Sequence, residues 1–152
     1  MKKIYLGIGS DMGDRIHNLR EAVRMIGESA GEVLRSSRVY ETEPWGFSSE
    51  SRFLNMAIVI ESNYSPSDLL ERLLLIEFAL GRIRSARSYS SRVIDIDILF
   101  YGNEVITDGT LEIPHPRLHE RKFVLVPLCD IAPELHHPVK NKTIRELLDE
   151  CD

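Results

Sequence analysis

The chain has 152 residues, 43% of them apolar, which is enough to bury a core without disulfides or a structural metal, and one domain over residues 1–152 is expected. Its 24 acidic and 19 basic residues leave a formal charge of −5, which argues against broad electrostatic attraction to nucleic acid or anionic membrane and leaves room only for a local basic patch. Ile4 to Gly9 is too short an apolar run for a signal peptide, no run reaches the about eighteen apolar residues of a membrane span, and Cys129 and Cys151 lack metal-like spacing, so a cytoplasmic protein is expected.

Lys3 to Ile8 reads as a strand, with Gly7 and Gly9 as turn formers leading into a helix that carries Ile16, Leu19, Val23 and Ile26 at helical spacing. Val33 to Thr42 and Phe53 to Ser62 read as two strands joined by a loop containing Pro44, Trp45 and Gly46. Ser65-Pro66 starts a second helix, Leu69, Leu73, Ile76 and Leu80 form its buried stripe, and Gly81 is expected to stop it. Val93 to Tyr101 is a further strand, with Gly102-Asn103 turning into Glu104 to Thr107 as a hairpin. Phe123 to Ile131 suits a helix if Pro127 falls in its first turn, and Thr143 with Glu146 forms a capping box for a last short helix. The order β-α-β-β-α-β predicts an α+β, ferredoxin-like arrangement with helices packed on an antiparallel-type sheet, plus a C-terminal extension.

Within that order, Val93 to Phe100 is aliphatic except for Asp95 and Asp97. On a strand both carboxylates share one face, about 6.6 Å apart along the chain, a spacing able to serve metal ions about 3.5–4 Å apart. Hard oxygen ligands without cysteine suit Mg²⁺. The plain alternative is an edge strand with two aspartates on its solvent face. Just upstream lie Arg82, Arg84, Arg87 and Arg92 among serines, either a solvated basic loop or a set of guanidinium groups for phosphate oxygens. Arginines next to a carboxylate pair are what a metal-bound nucleoside triphosphate requires.

Tyr40 to Gly46, Phe53, Asn55 and Phe123 offer aromatic faces and an amide to a flat heterocycle, although by themselves a buried Phe and a structural Asn are the more ordinary account. His115 and His119 are four apart as in a helical zinc pair, but the prolines at 114 and 116 argue against a regular helix there, and phosphate contacts from His115 and Arg121 fit better. There is no G-x-x-x-x-G-K-[ST], so a nucleotide would have to be held by side chains. A single-strand RNA module shares the element order, but no aromatic RNA-binding run appears on a strand, and Asp95 with Asp97 would repel phosphates unless metal intervened. A different metal-dependent phosphoryl transferase on this fold is the other alternative, distinguished by its products.

Six motifs occur in order: Gly9-Ser10-x-x-Gly13-Asp14, Tyr40-Glu41-Thr42-x-Pro44-x-Gly46, Phe53-Leu54-Asn55, Gly81-Arg82-x-Arg84, Arg92-x-x-Asp95-x-Asp97, and Pro114-His115-Pro116-Arg117 running to Arg121-x-Phe123. Through them the chain resembles the 6-hydroxymethyl-7,8-dihydropterin pyrophosphokinases of folate biosynthesis over nearly its whole length. The resemblance implies a ferredoxin-like fold, ATP as donor, two Mg²⁺ ions, a pterin alcohol as acceptor and AMP as product. It implies that Asp95 and Asp97 bind the metals and that Arg82 and Arg92 join them in catalysis. It further implies that Glu77, Arg84, Arg92, Ile98, His115 and Arg121 hold ATP, and that Thr42, Pro44, Trp45, Phe53, Asn55, Asp95 and Phe123 form the pterin pocket. Two departures stand out: Tyr89-Ser90-Ser91 where the family has Trp-Gly-Pro, and Asp11 where it has Asn.

Overall fold

The computed structural model describes residues 1–42, 53–83 and 93–151, except for the side chains of Thr42, Arg82 and Ile83. Its central strand, β1 (Lys2–Ser10), alternates strictly: Ile4, Leu6 and Ile8 are buried at 0–2% exposure, while Tyr5, Gly7 and Gly9 take the other face. β1 lies between two antiparallel neighbours that come later in the chain. Beyond one of them lies the strand at Glu32–Ser36, which we label β2. Those neighbours are β4 (Phe53–Ser62) and β5 (Asp95–Tyr101), which makes the sheet order β2-β4-β1-β5. This is the sheet order of a ferredoxin-like fold, as expected.

The strand expected over Val33 to Thr42 is two pieces, β2 and β3 (Tyr40–Thr42), laid end to end on the same edge of β4. Ser36 faces Ile58 and Tyr40 faces Asn55, so four steps along the outer segment match three along β4. The extra residue is absorbed at Ser37, whose N–H donates to the Ala57 carbonyl and whose Oγ accepts the Ala57 N–H, both at 2.8 Å.

Helices α1 (Arg15–Ser29) and α2 (Pro66–Ile83) cover one face. Asp14 caps α1 by accepting the His17 N–H at 3.1 Å, and Ser65 caps α2 by accepting the Asp68 N–H at 3.2 Å. Leu69, Leu73, Ile76 and Leu80 are buried as the periodicity predicts, and each contributes about 1.5–3 kcal/mol by burial. The helix does not stop at Gly81, because that residue does not take the left-handed φ a glycine stop requires.

The other face is half-covered by α3 (Lys122–Ile131) and α4 (Ile144–Glu150), whose Leu125, Leu128, Ile131, Ile144 and Leu147 pack on Ala57, Val59, Leu99 and Phe100. Because α3 begins at Lys122, Pro127 falls in its second turn; one backbone hydrogen bond is lost there while the proline is buried. The Thr143–Glu146 capping box is present in both directions.

Gly102 turns the chain after β5 with φ +55°, but no hairpin returns along β5. The outer edge of β5 is used otherwise: the Ile96 N–H donates to Glu77 at 2.7 Å, and the Leu99 carbonyl accepts the His115 N–H at 3.1 Å. The chain instead pairs β6 (Ile106–Asp108) with β7 (Leu111–Ile113), and Asp108 Oδ1 accepts the Thr110 and Leu111 N–H groups in the connecting turn.

Candidate active site

Asp95 and Asp97 are both half-buried, alternate with buried Ile96 and Ile98, and stand on the face that α3 only partly covers. Their partners on β1 are Gly9 and Gly7. These glycines are not turn formers, as their local sequence suggests; they lie inside β1, and the left-handed turn residue is Gly13, with φ 73°. Lacking Cβ atoms, they leave space beside the two carboxylates that neighbouring side chains enter, Leu99 coming within 3.4 Å of where a Cβ on Gly7 would stand. A Cβ on Gly9 would sit 2.9 Å from Asn55 Oδ1, so the Asn55 amide lies across the space that glycine vacates.

The register sets one row across four strands: Tyr40 opposite Asn55, Asn55 opposite Gly9, and Gly9 opposite Asp95. Residues directly opposite in antiparallel strands project from the same face. Phe53, two residues from Asn55, shares that face and stands opposite Thr42. Phe123 lies in the first turn of α3, with the Arg121 guanidinium 5.6 Å from its ring centre. Sheet and helix thus each carry one half-buried phenyl ring.

His115 follows the cis Ile113–Pro114 bond and is half-buried. Burial, and then the charge of Arg121, pull its imidazole below the usual histidine range against the opposing influence of Asp95 and Glu112, so the ring is neutral at pH 7. A cavity of about 210 Å³ opens along β5, bounded by Leu70 of α2, Ile96 to Ile98, Thr110 to Glu112, and His115 with Pro116. It joins an apolar wall to the Asp97 carboxylate. Glu77, placed by α2 at the strand edge, holds the Ile96 N–H just ahead of Asp97.

The structure places Asp95, Asp97 and Ile98 on β5, Glu77 and His115 hydrogen-bonded to its outer edge, Phe53 and Asn55 on β4, and Arg121 with Phe123 at the start of α3. Pro44, Trp45, Arg84, Tyr89 and Arg92 lie outside the described residues, as do the side chains of Thr42 and Arg82. His119 belongs to a 3-10 turn, Leu118–Glu120, and among the described residues no three His, Cys, Asp or Glu side chains gather as a metal set. Sequence reasoning missed Leu70, Thr110 and Glu112 on the cavity wall; the Gly109-Thr110 turn was their only local signal. It also missed Asp130, whose carboxylate accepts the Tyr40 hydroxyl at 2.8 Å.

Fold and site together define a small α+β protein of ferredoxin-like sheet order whose cavity joins apolar residues to a carboxylate-bearing strand. The chain belongs to the 7,8-dihydro-6-hydroxymethylpterin-pyrophosphokinase (HPPK) family, whose model matches residues 5–133. It is 43% identical to the 2-amino-4-hydroxy-6-hydroxymethyldihydropteridine pyrophosphokinase of Methylorubrum extorquens, covering 100% of this chain and 95% of the relative. To the enzyme of the same name from Aquifex aeolicus it is 37% identical over 99% of this chain and 92% of the relative. The crystal structure of Plasmodium falciparum wild-type HPPK-DHPS with pteroate superposes with a TM-score of 0.81 at 17% identity, which speaks for the fold alone. There 98% of this chain is covered and only 44% of the Plasmodium chain, so this chain spans less than half of that protein. Among the described residues no helix is long and apolar enough to cross a membrane.

Proposed function

We infer that the chain carries the activity its family is named for: it moves the pyrophosphoryl group of ATP onto the hydroxyl of 6-hydroxymethyl-7,8-dihydropterin, a step of folate biosynthesis that releases AMP. Residues 1–152 act as one pyrophosphokinase domain, in the cytoplasm. The observation that carries this reading is the row Asn55–Gly9–Asp95, with a hydrogen-bonding amide and a carboxylate on either side of a glycine, next to the cavity lined by Asp97.

The donor set fits Mg²⁺: two carboxylates, hard and anionic, on one face of the strand. Asp95 and Asp97 would hold the two ions. Bound there, the metal offsets charge on the transferred phosphates. The remaining work falls to the chain. The cavity wall at Leu70, Ile98 and Leu111 takes the adenine, Glu77 orients the nucleotide at the strand edge, and His115 with Arg121 meets phosphate oxygens. Arg82, Arg84 and Arg92 supply further positive charge by their motif positions. Phe53 and Phe123 stack the pterin, Asn55 reads its ring amide, and Thr42, Pro44 and Trp45 border the pocket.

In the reaction the pterin hydroxyl oxygen forms a bond to the β-phosphorus as the bond from that phosphorus to the bridging α–β oxygen breaks. AMP leaves with the bridging oxygen, and the hydroxyl proton is released. Positioning and charge stabilisation account for the acceleration, as in other phosphoryl transfers. The test is the product: Mg·ATP and the pterin alcohol should yield AMP and a pyrophosphorylated pterin in equal amounts. Formation of ADP would overturn attack at the β-phosphorus.

A further inference from the structure

We propose that Tyr40 and Asp130 form a clamp that holds α3 at a set distance from the sheet and so fixes the width of the slot between Phe53 and Phe123. The proposal rests on the pyrophosphokinase reading, and makes both residues positioning residues for the pterin. Tyr40 donates its hydroxyl to Asp130, 2.8 Å from each carboxylate oxygen, across 90 residues of sequence. Asp130 also accepts the Arg38 N–H at 3.2 Å and its guanidinium at 3.2 and 3.3 Å. Arg38 is 80% exposed and Asp130 only 19%, so the half-buried phenol is the stronger link and the arginine a solvated addition.

Two geometric facts connect this contact to the slot. On the sheet, Tyr40 stands opposite Asn55 in the row that ends at Asp95, and Phe53 lies two residues along the same face. On the helix, Phe123 and Asp130 are seven residues apart, so they project from one stripe of α3 about 10 Å apart along its axis. The clamp therefore fastens one end of α3 to the strand pair that carries Phe53, while Phe123 stands at the opposite end of the helix. An error of helix tilt at Asp130 becomes an error in the gap between the two phenyl rings. Of the ATP contacts, those on β5 and α2 lie outside this lever, and only Arg121, at the start of α3 with its guanidinium 5.6 Å from the Phe123 ring centre, moves with it.

The experiment measures the KM of each substrate and kcat in Tyr40→Phe, Asp130→Ala and Asp130→Asn. Tyr40→Phe and Asp130→Ala should each raise the pterin KM about fivefold or more, with kcat within about twofold and the ATP KM, which shares only Arg121 with the moving end of α3, raised clearly less than the pterin KM. The double variant should be no worse than the poorer single one, because both remove the same contact. Asp130→Asn, which keeps an oxygen for the phenol, should fall near the native protein. Tyr40→Phe changes one atom, so it carries the test should Asp130→Ala not fold. AMP formation with an unmoved pterin KM in Tyr40→Phe overturns the clamp, as does a parallel rise in the ATP KM. Absence of AMP from the native protein overturns the pyrophosphokinase reading itself.

Discussion

Gly9 and Asp95 face each other across β1 and β5, and the missing side chain at Gly9 is what lets Asn55 share the floor of the site with the carboxylate. Gly9→Ala puts a methyl group 2.9 Å from the end of a flexible side chain, Asn55 Oδ1, and not against backbone. The fold should survive because the amide can swing aside. The pterin KM should rise about tenfold, equivalent to about 1.4 kcal/mol of binding, since the swung amide no longer faces the ring. An unchanged pterin KM in Gly9→Ala would show that Asn55 does not read the substrate.

Asp95→Asn and Asp97→Asn remove one negative charge each with almost no change in volume. Both positions are half-buried on a well-paired strand, so far-UV circular dichroism should be unchanged. Turnover should fall at least about a hundredfold, the scale of losing a preorganised electrostatic group. Calorimetric titration with Mg²⁺ in the presence of a non-hydrolysable ATP analogue should show weaker or lost metal binding. Near-native turnover in either variant would end the metal assignment.

His137 ties stability to pH. Its ring is 6% exposed, packs edge-on against Phe100 at 5.6 Å, and accepts the Val139 and Lys140 N–H groups at its Nδ1, each at 3.1 Å. Those bonds require the neutral ring. Burial first, then the charges of Lys140 and His119, lower its proton affinity, and His115 is shifted the same way. A histidine with a depressed folded pKa adds no penalty above the unfolded value of about 6.5. Below it the unfolded chain binds protons that the folded one refuses, so stability falls at up to about 1.4 kcal/mol per pH unit for each such ring. Urea unfolding should be flat from pH 8 to about 6.5 and then decline. His137→Asn, whose amide oxygen accepts the same N–H groups without titrating, should shallow that decline; an unchanged slope would remove His137 as its source.

Asn18 is 2% exposed and donates its amide to the Met12 carbonyl at 2.9 Å and to Ser10 Oγ at 3.3 Å, while Ser10 in turn donates to the Val93 carbonyl. This buried network pins the chain two residues before Asp95. Asn18→Leu leaves those acceptors without a partner and should cost about 1–3 kcal/mol, seen as a lower urea midpoint with an unchanged slope. A loss under about 0.5 kcal/mol would mean that water replaces the amide.

Much of the scaffold was legible because its causes are local. The stripe Leu69, Leu73, Ile76 and Leu80 has helical spacing in any context, and the Thr143–Glu146 box lies within one turn. Asp95 and Asp97 needed only strand alternation to share a face. Where a neighbouring segment decides, local reading failed. Gly7 and Gly9 look like turn residues, yet pairing with both β4 and β5 keeps them in a central strand. Glu104 to Thr107 follows a turn glycine, yet Glu77 and His115 already occupy the outer edge of β5.

The amino-acid sequence by itself determined the order of elements, the helical faces, the paired carboxylates and the motifs shared with the family, because propensity and periodicity act over a few residues. Only the tertiary structure decided that strands 2 and 3 break at Ser37, that glycines clear the floor between Asn55 and Asp95, and that Tyr40 meets Asp130. Those features depend on register and packing between distant segments, which exist only once the hydrophobic faces have closed on one another.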